Sequence, residues 1–416
     1  MLFSISLLTI ASMQGAAAAA AALQQSQPPT IPISYSYGGY PRAVYKPTSN
    51  GAHQDSLPFR RFLIRDLPVS GFFGPNSIIN DGTNAHYTPG SCNKTVKTFY
   101  NWPKSSSHSK GGAVKPKGGT LGYAYGGNGK LISAPATIND TFAFSNPKFS
   151  KLTNNQVALA NYAQVAQLDD KCKIPECDFD HSILGLAPLP KDFSGPSFRD
   201  NLRHTGKTKS SSFAMWFDQQ PKSIKSPYSG AAVFGAVPAN KKYAGELVRI
   251  KQDYPTPPYI GYYAALPELT TTSIRKPGKP IKIGLADSSV KQRLLDSGTG
   301  EDRLPFSEKE IIKATGLIQL DYPLALAWNV APVEREYDDV PGYDASKHCA
   351  LSVSGDEYGD CILGAPFFTA VYAVFHDDTK QVALAQGGVS TGTSDGIARI
   401  GQLTPILPGS NIPNSI

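Results

Sequence analysis

The chain has 416 residues, 40% of them apolar, enough for one large core shared by two lobes or for two smaller domains. Its 38 Gly and 34 Pro residues, with few stretches of helical period, favour an all-β body over a helical or doubly wound one. The formal net charge of +7 is spread in singlets and pairs without aromatic interleaving, which favours a solvated surface, so we expect no nucleic-acid partner.

Residues 1–23 are typical of a secretory signal peptide. An apolar run from Leu2 to Ala11 is followed by small residues that suit signal peptidase, although a basic start is missing. No later stretch of about 18 apolar residues follows to anchor the chain in a membrane. We therefore expect a secreted, extracellular protein without a membrane span, and the glycosylation sequons at Asn93 and Asn139 fit that route.

Residues 24–61 are rich in Tyr, Pro and Ser and show neither a helical nor a strand period. This composition predicts a propeptide or a linker. The segment ends at Arg60-Arg61, directly before the apolar stretch FLIRDL, where a dibasic-specific protease could release the mature chain. A pair of surface arginines is the alternative interpretation.

The chain has five cysteines, which in an oxidising compartment predict disulfides with one thiol left over. Cys172 with Cys177, and Cys349 with Cys361, are close enough in sequence to close local loops, which leaves Cys92 as the odd residue. A metal site at Cys172 and Cys177 is the alternative. It would need a second Cys or His pair with ligand spacing, which is absent, so we expect no metal.

Two parts of the chain follow the same order of elements. From Ile78 come an apolar pair, a turn rich in Asp and Asn, a long region of strands and turns, and SILGLAP at Ser182–Pro188. From Leu294 come an apolar pair, the turn DSGT, a similar region, and CILGAPF at Cys361–Phe367. A repeat on this scale predicts two lobes built on one plan.

Both repeated regions are predicted to consist mainly of β-strands. Apolar or alternating stretches such as VALAQ at Val382–Gln386 predict strands with one or both faces buried. Two helices are predicted. One begins near Pro196 and ends near Gly206, and the other begins at Ser307, which forms a capping box with Glu310.

Taken together, these residues resemble the pepsin-like aspartic proteases from about Phe62 to Ile406. In that family each lobe supplies one catalytic Asp from a DTG or DSG turn, and an apolar-apolar-Gly segment crosses behind the turn. The resemblance implies an all-β, bilobal pepsin-like fold of two related β-barrel-like lobes, with a peptide-binding cleft between them and a flap hairpin. It places the N-terminal lobe with its flap at residues 62–218 and the C-terminal lobe at 219–411.

The stretch LLDSGTGEDRLP fits the second catalytic turn of the family. Asp296 falls on the catalytic Asp, Gly298 on the turn glycine, and Thr299 on the hydroxyl residue that hydrogen-bonds the carboxylate. Ser297 falls on the hydroxyl residue that braces the two lobes beneath the catalytic pair. Leu304 and the proline after it match the Leu-Pro that follows the family turn.

Other stretches match the family in the same order along the chain. GYAYGGNG resembles the flap, with Tyr125 on the flap tyrosine that closes over substrate and Gly126 beside it. Ile183-Leu184-Gly185 and Ile362-Leu363-Gly364 fit the two crossing segments. The remaining matches are NWPKSSS at Asn101, SFAMWFD at Ser212, AAVFGAVP at Ala231 and VYAVFHDDTKQVALAQ at Val371.

The first catalytic turn departs from the family pattern. The ungapped fit of SIINDGTNAHYTP places Asn80 on the catalytic Asp, Gly82 on the glycine and Thr83 on the hydroxyl residue. Asp81 then stands where the family has Thr or Ser. A competing fit deletes one residue and makes Asp81 the catalyst. That fit would put Asn80 at an inward apolar position, because a slip of one residue reverses the faces of a strand.

The chemistry of the family needs two carboxylates. They hold a water and share one proton, because two like charges so close cannot both stay ionised. One takes a proton from the attacking water while the other assists the carbonyl oxygen. With Asn80 in place of one carboxylate, the resemblance implies impaired proteolysis.

We therefore expect a non-catalytic, monomeric homologue without a cofactor that binds an extended polypeptide, an inhibitor or a protein partner in the cleft. One alternative is an active acid endopeptidase that uses Asp296 with Asp81. Another is a wall- or surface-binding β protein that uses its positive charge. The stretch GVSTG at Gly388–Gly392 has the GxSxG pattern of serine hydrolases but no histidine after it, which favours a turn with a surface serine.

Overall fold

The structure is a computed structural model. It describes residues 28–35, 42–43, 62–63, 70–80, 93–95, 100–116, 119–125, 130–142, 151–165, 184–188, 196–219, 228–239, 242–252, 261–264, 270–271, 281–282, 293–299, 302–304, 353–355, 361–390 and 402–413.

Strands make up most of the regular structure. The first ten are β1 Thr30–Tyr35, β2 Arg42–Ala43, β3 Phe62–Leu63, β4 Ser70–Asn80, β5 Asn93–Thr95, β6 Leu121–Tyr125, β7 Lys130–Ala134, β8 Ala136–Phe142, β9 Leu152–Val165 and β10 Leu184–Gly185. The next seven are β11 Phe213–Phe217, β12 Tyr228–Phe234, β13 Ala236–Pro238, β14 Ala244–Lys251, β15 Tyr263–Ala264, β16 Thr270–Thr271 and β17 Ile281–Lys282. The last seven are β18 Arg293–Leu295, β19 Asp302–Leu304, β20 Val353–Gly355, β21 Ile362–Leu363, β22 Val371–His376, β23 Gln381–Gln386 and β24 Leu403–Pro405.

A seven-stranded sheet joins distant parts of the chain in the order β14-β23-β22-β11-β12-β1-β2. Its central strand β11 is buried at every position because both faces of the sheet are covered. Side chains alternate between the faces, so Phe213 and Phe217 enter one hydrophobic cluster and Trp216 enters the other. The strand β12 passes so close that a Cβ on Gly230 would lie 2.1 Å from the Trp216 carbonyl oxygen. Only glycine fits this crossing.

Two smaller sheets carry the two turns of interest. In the first, the strands run in the order β5-β4-β9-β7-β6, and β8 also pairs with β9. In the second, the order is β15-β18-β21-β19-β20. Three two-stranded ladders, β3 with β10, β13 with β24 and β16 with β17, complete the sheets among the described residues. The all-β prediction is confirmed.

Two α-helices lie within the described residues. The first, Phe198–His204, begins after Ser197, whose hydroxyl accepts the Asp200 N–H, and ends before Gly206 with a φ of 72°. It matches the helix expected after Pro196. The second, Ala365–Ala370, follows β21 directly and was not predicted. The helix expected from Ser307 lies outside the described residues. No helix in the described part of the chain is long and apolar enough to span a membrane.

The strand β1 lies inside the segment for which no strand was expected. It pairs with β12 over six positions, from Thr30 opposite Val233 to Tyr35 opposite Tyr228. Ile33 and Tyr35 are 1% and 2% exposed. The sequence shows no periodic sign of this strand, because the surrounding Tyr, Pro and Ser obscure the alternation of so short a stretch. The propeptide boundary itself stays a prediction.

We expect Ile33→Ala to lower the free energy of unfolding by about 2–5 kcal/mol, because it leaves a cavity under β1. Leu407→Ala is the matched control, since Leu407 is 54% exposed. Urea denaturation of both variants measures the difference. Equal, small losses in the two variants would show that β1 is not docked in solution.

A buried carboxylate fastens residues 100–112 to β8. Asp140 is 4% exposed, and its two oxygens accept hydrogen bonds from the hydroxyls of Tyr100 and Ser107. The N–H of Thr141 donates to the same carboxylate at 2.6 Å. Burial raises the pKa of Asp140, and the Thr141 hydrogen bond lowers it in part.

This shift predicts the pH dependence of stability. A carboxyl group with a raised pKa binds more protons in the folded state, so its contribution is fully present below the ordinary Asp value of about 3.9. It is lost as pH rises through the folded-state pKa. We expect the free energy of unfolding of the wild type, relative to Asp140→Asn, to be higher at pH 3 than at pH 7. Denaturation curves at both pH values test this, and the opposite order would contradict it.

Candidate functional site

The Asp296 turn is built on a pair of parallel strands. β18 and β21 pair with Leu294 opposite Ile362 and Leu295 opposite Leu363. The next residue, Asp296, donates its N–H to the Leu363 carbonyl oxygen at 3.0 Å. The crossing segment therefore lies where the sequence analysis predicted it for the C-terminal lobe.

The carboxylate of Asp296 is 2% exposed and hydrogen-bonded at both oxygens. Its Oδ1 accepts the Gly298 N–H at 2.8 Å, and its Oδ2 accepts the Thr299 hydroxyl at 2.8 Å. The Thr299 N–H also donates to the Asp296 carbonyl oxygen at 3.0 Å and closes the turn. Donors placed on both oxygens fix the plane of the carboxylate.

Neighbouring residues hold this turn against the crossing segment. The Ala365 N–H donates to the Thr299 carbonyl oxygen at 2.7 Å, and Ser297 is fully buried. Asp302, 1% exposed, accepts the Gly364 N–H at 2.6 Å. Sequence reasoning missed Asp302, because nothing in the stretch GEDRLP distinguishes a buried acid from a surface one.

The first turn has a different strand environment. β4 ends at Asn80, which pairs with Asn93 of β5 on one side and with Gln164 of β9 on the other. A strand has only two edges for ladder hydrogen bonds, and both edges of β4 are occupied here. The crossing segment Leu184–Gly185 therefore pairs with β3 and only packs against β4. In this respect it differs from Ile362–Leu363, which pairs directly with the strand that precedes Asp296.

The flap prediction falls on the β6–β7 hairpin. Its register runs from Leu121 opposite Ala134 to Tyr125 opposite Lys130. Tyr125 is the last residue of β6 and pairs with Lys130, the first residue of β7. Its role as the flap tyrosine stays a prediction.

Several predicted site residues lie outside the described residues. They are Asp81, Gly82, Thr83, Gly126, Cys92, Cys172, Cys177 and Cys349. Cys361 is 4% exposed, and its pairing with Cys349 stays a prediction. The sequon residue Asn139 lies in β8, where its side chain donates to Asn154 at 3.0 Å in an exposed position. Its glycosylation, like that of Asn93 in β5, stays a prediction.

Ser390 of the GVSTG stretch lies in a hydrogen-bonded structural position. The hydroxyl of Ser390 donates to Asp218 at 2.6 Å, and the Gln219 N–H donates to the Ser390 carbonyl oxygen at 2.8 Å. These bonds tie the stretch to the end of β11, as expected of a structural turn. Within the described ranges, no group of three or more His, Cys, Asp or Glu side chains could hold a metal.

Comparisons with known proteins agree with this architecture. No protein-family model matches the sequence, and no curated protein matches it. Among solved structures, an aspartic proteinase from Irpex lacteus matches with a TM-score of 0.50 and 15% sequence identity, covering 88% of this chain and 99% of that chain. At this identity the match establishes the fold alone. The chain has the all-β, bilobal pepsin-like fold.

We expect Thr299→Val to lower the free energy of unfolding by about 1–3 kcal/mol, because it removes a donor from a buried carboxylate oxygen. Thr299→Ser keeps the hydroxyl and serves as the control. Chemical denaturation near neutral pH measures both variants. A valine variant as stable as the serine variant would contradict the hydrogen bond to Asp296.

Proposed function

We propose that the chain is a secreted, monomeric pepsin-like homologue that binds an extended polypeptide between its lobes and hydrolyses it very slowly. The observation that carries this proposal is the difference between the two turns. Asp296 is buried and held by donors on both carboxylate oxygens. The aligned residue of the other lobe, at the end of β4, is Asn80.

Peptide binding is supported by the fold and the flap. The β6–β7 hairpin, whose first strand ends at Tyr125, and the buried Asp296 are the parts that would contact an extended chain. Such a chain binds through main-chain hydrogen bonds and side-chain pockets. No cofactor is required for this type of recognition.

Slow hydrolysis follows from the chemistry of the pair. An amide at Asn80 can hydrogen-bond a water or the Asp296 carboxylate, but it cannot exchange a proton as the second acid of the pair. The water is then held without the acid that assists the carbonyl oxygen. The protein would act as a pseudoenzyme that binds the peptide but does not efficiently hydrolyse it.

Secretion is supported by the amino-terminal sequence. The signal-like segment 1–23, with its apolar run from Leu2 to Ala11, and the sequons at Asn93 and Asn139 fit an exported glycoprotein. Detection of the glycosylated chain in the medium of an expressing eukaryotic cell tests this part of the proposal.

Restoring the family motif tests the function. We expect Asn80→Asp combined with Asp81→Thr to raise hydrolysis of an unfolded protein between roughly pH 3 and 6 by orders of magnitude, since each tenfold change needs only about 1.4 kcal/mol. Adding Asp296→Asn should abolish the gain. The measurement is the rate of acid-soluble peptide release from a denatured substrate.

The unaltered protein supplies the controls. It should bind a statine-containing peptide inhibitor while releasing almost no peptide. Digestion at acid pH that Asp81→Asn abolishes and Asn80→Ala spares would show instead an active endopeptidase using Asp296 with Asp81. Retention on cell-wall polysaccharide without inhibitor binding would favour a surface-binding β protein.

A further inference from the structure

An ion pair between a buried arginine and a half-buried aspartate links the helix Phe198–His204 to the turn between β22 and β23. Arg199 is 1% exposed, and its Nη2 lies 2.7 Å from Oδ2 of Asp377, which is 178 positions away in sequence. Its Nη1 donates to the Ser211 carbonyl oxygen at 2.6 Å. Its guanidinium carbon also lies 5.1 Å from the centre of the Phe213 ring. The pair therefore joins three separate segments in the core.

Tyr262 extends this pair to the candidate site. It is fully buried, and its hydroxyl lies 2.8 Å from Oδ1 of Asp377 and 3.2 Å from the Leu186 carbonyl oxygen. Its own carbonyl oxygen accepts the N–H of Leu295 at 2.8 Å. Leu295 directly precedes Asp296. One residue thus contacts the ion pair at its hydroxyl and the Asp296 strand at its backbone.

Packing fixes the Tyr262 ring between these two contacts. Its centroid lies 4.5 Å from that of Phe375 and 6.1 Å from that of Phe213, and the Arg199 guanidinium lies 5.7 Å from it. Burial opposes the charge of Arg199, but Asp377 and Tyr262 offset it, and the pKa of Arg199 is raised. Because a buried charge is costly when it loses its partners, the Arg199 guanidinium restricts where Asp377 and Tyr262 can lie.

We propose that Arg199, Asp377 and Tyr262 form a polar clamp that positions the Asp296 turn. None of the three is assigned a contact with the peptide, so they are positioning residues. Loss of the clamp would free the Tyr262 ring to shift, and the Leu295 N–H that its carbonyl oxygen holds would shift with it. Only the effect on ligand binding rests on the proposed function; the effect on the turn does not.

Hydrogen exchange at the amides of residues 295–299 tests the clamp without a ligand. Tyr262→Phe removes the hydroxyl and keeps the ring and the backbone carbonyl. We expect it to accelerate exchange in this turn about tenfold, the effect of losing one hydrogen bond to a charged group. Exchange in β8 and β9 should stay unchanged. Tyr372→Phe is the control, since Tyr372 is fully buried in the other cluster and its hydroxyl has no hydrogen-bond partner among the residues that the structure describes.

A second variant covers the case in which Tyr262→Phe does not fold. Arg199→Met with Asp377→Leu removes both charges together, which costs less than leaving either one buried alone. It should fold and show the same faster exchange at residues 295–299. The proposal is overturned if residues 295–299 of a folded clamp variant exchange no faster than the same residues of Tyr372→Phe.

Ligand binding separates this inference from the proposed function. The Kd of a statine-containing peptide inhibitor should rise about tenfold in a clamp variant and stay unchanged in Tyr372→Phe. If the wild type does not bind the inhibitor but exchange in the turn accelerates, the proposed function fails and the clamp stands. Unchanged exchange and unchanged Kd in the clamp variants would overturn the clamp and leave the function intact.

Discussion

The candidate site depends on the parallel pairing of β18 with β21. This ladder brings the Asp296 N–H to the Leu363 carbonyl oxygen, and the turn can then place the Gly298 N–H and the Thr299 hydroxyl on the carboxylate. A carboxylate buried without such donors would be costly in free energy. The position and the hydrogen bonds of the Asp296 carboxylate therefore depend on this ladder.

The same ladder is supported from two directions. On one side, Asp302 accepts the Gly364 N–H and keeps the crossing segment against β19. On the other side, the Tyr262 carbonyl oxygen accepts the Leu295 N–H, and the Tyr262 hydroxyl connects the strand to the Arg199–Asp377 ion pair. The seven-stranded sheet beneath them has both faces covered. The Asp296 turn is thus held by contacts from several parts of the chain.

Much of this arrangement could be predicted where the sequence repeats itself or alternates. The strand–turn–ILG plan located Asp296 and its crossing segment, and Ser197 begins the helix expected after Pro196. The pairing of Leu184–Gly185 could not be predicted, because it depends on which strands occupy the edges of β4. Buried charges leave no local pattern, so neither Asp302 nor the contact of Arg199 with Asp377 could be found.

The central claim is that Asn80 occupies the place of the second carboxylate. A crystal structure of the unaltered protein tests it most directly through the distances from the Asp296 carboxylate to the side chains of Asn80 and Asp81. The account predicts that the Asn80 amide lies within about 3.2 Å of Asp296, or shares one water with it, with Asp81 turned away. An Asp81 carboxylate in contact with Asp296, with Asn80 pointing into the lobe, would contradict it.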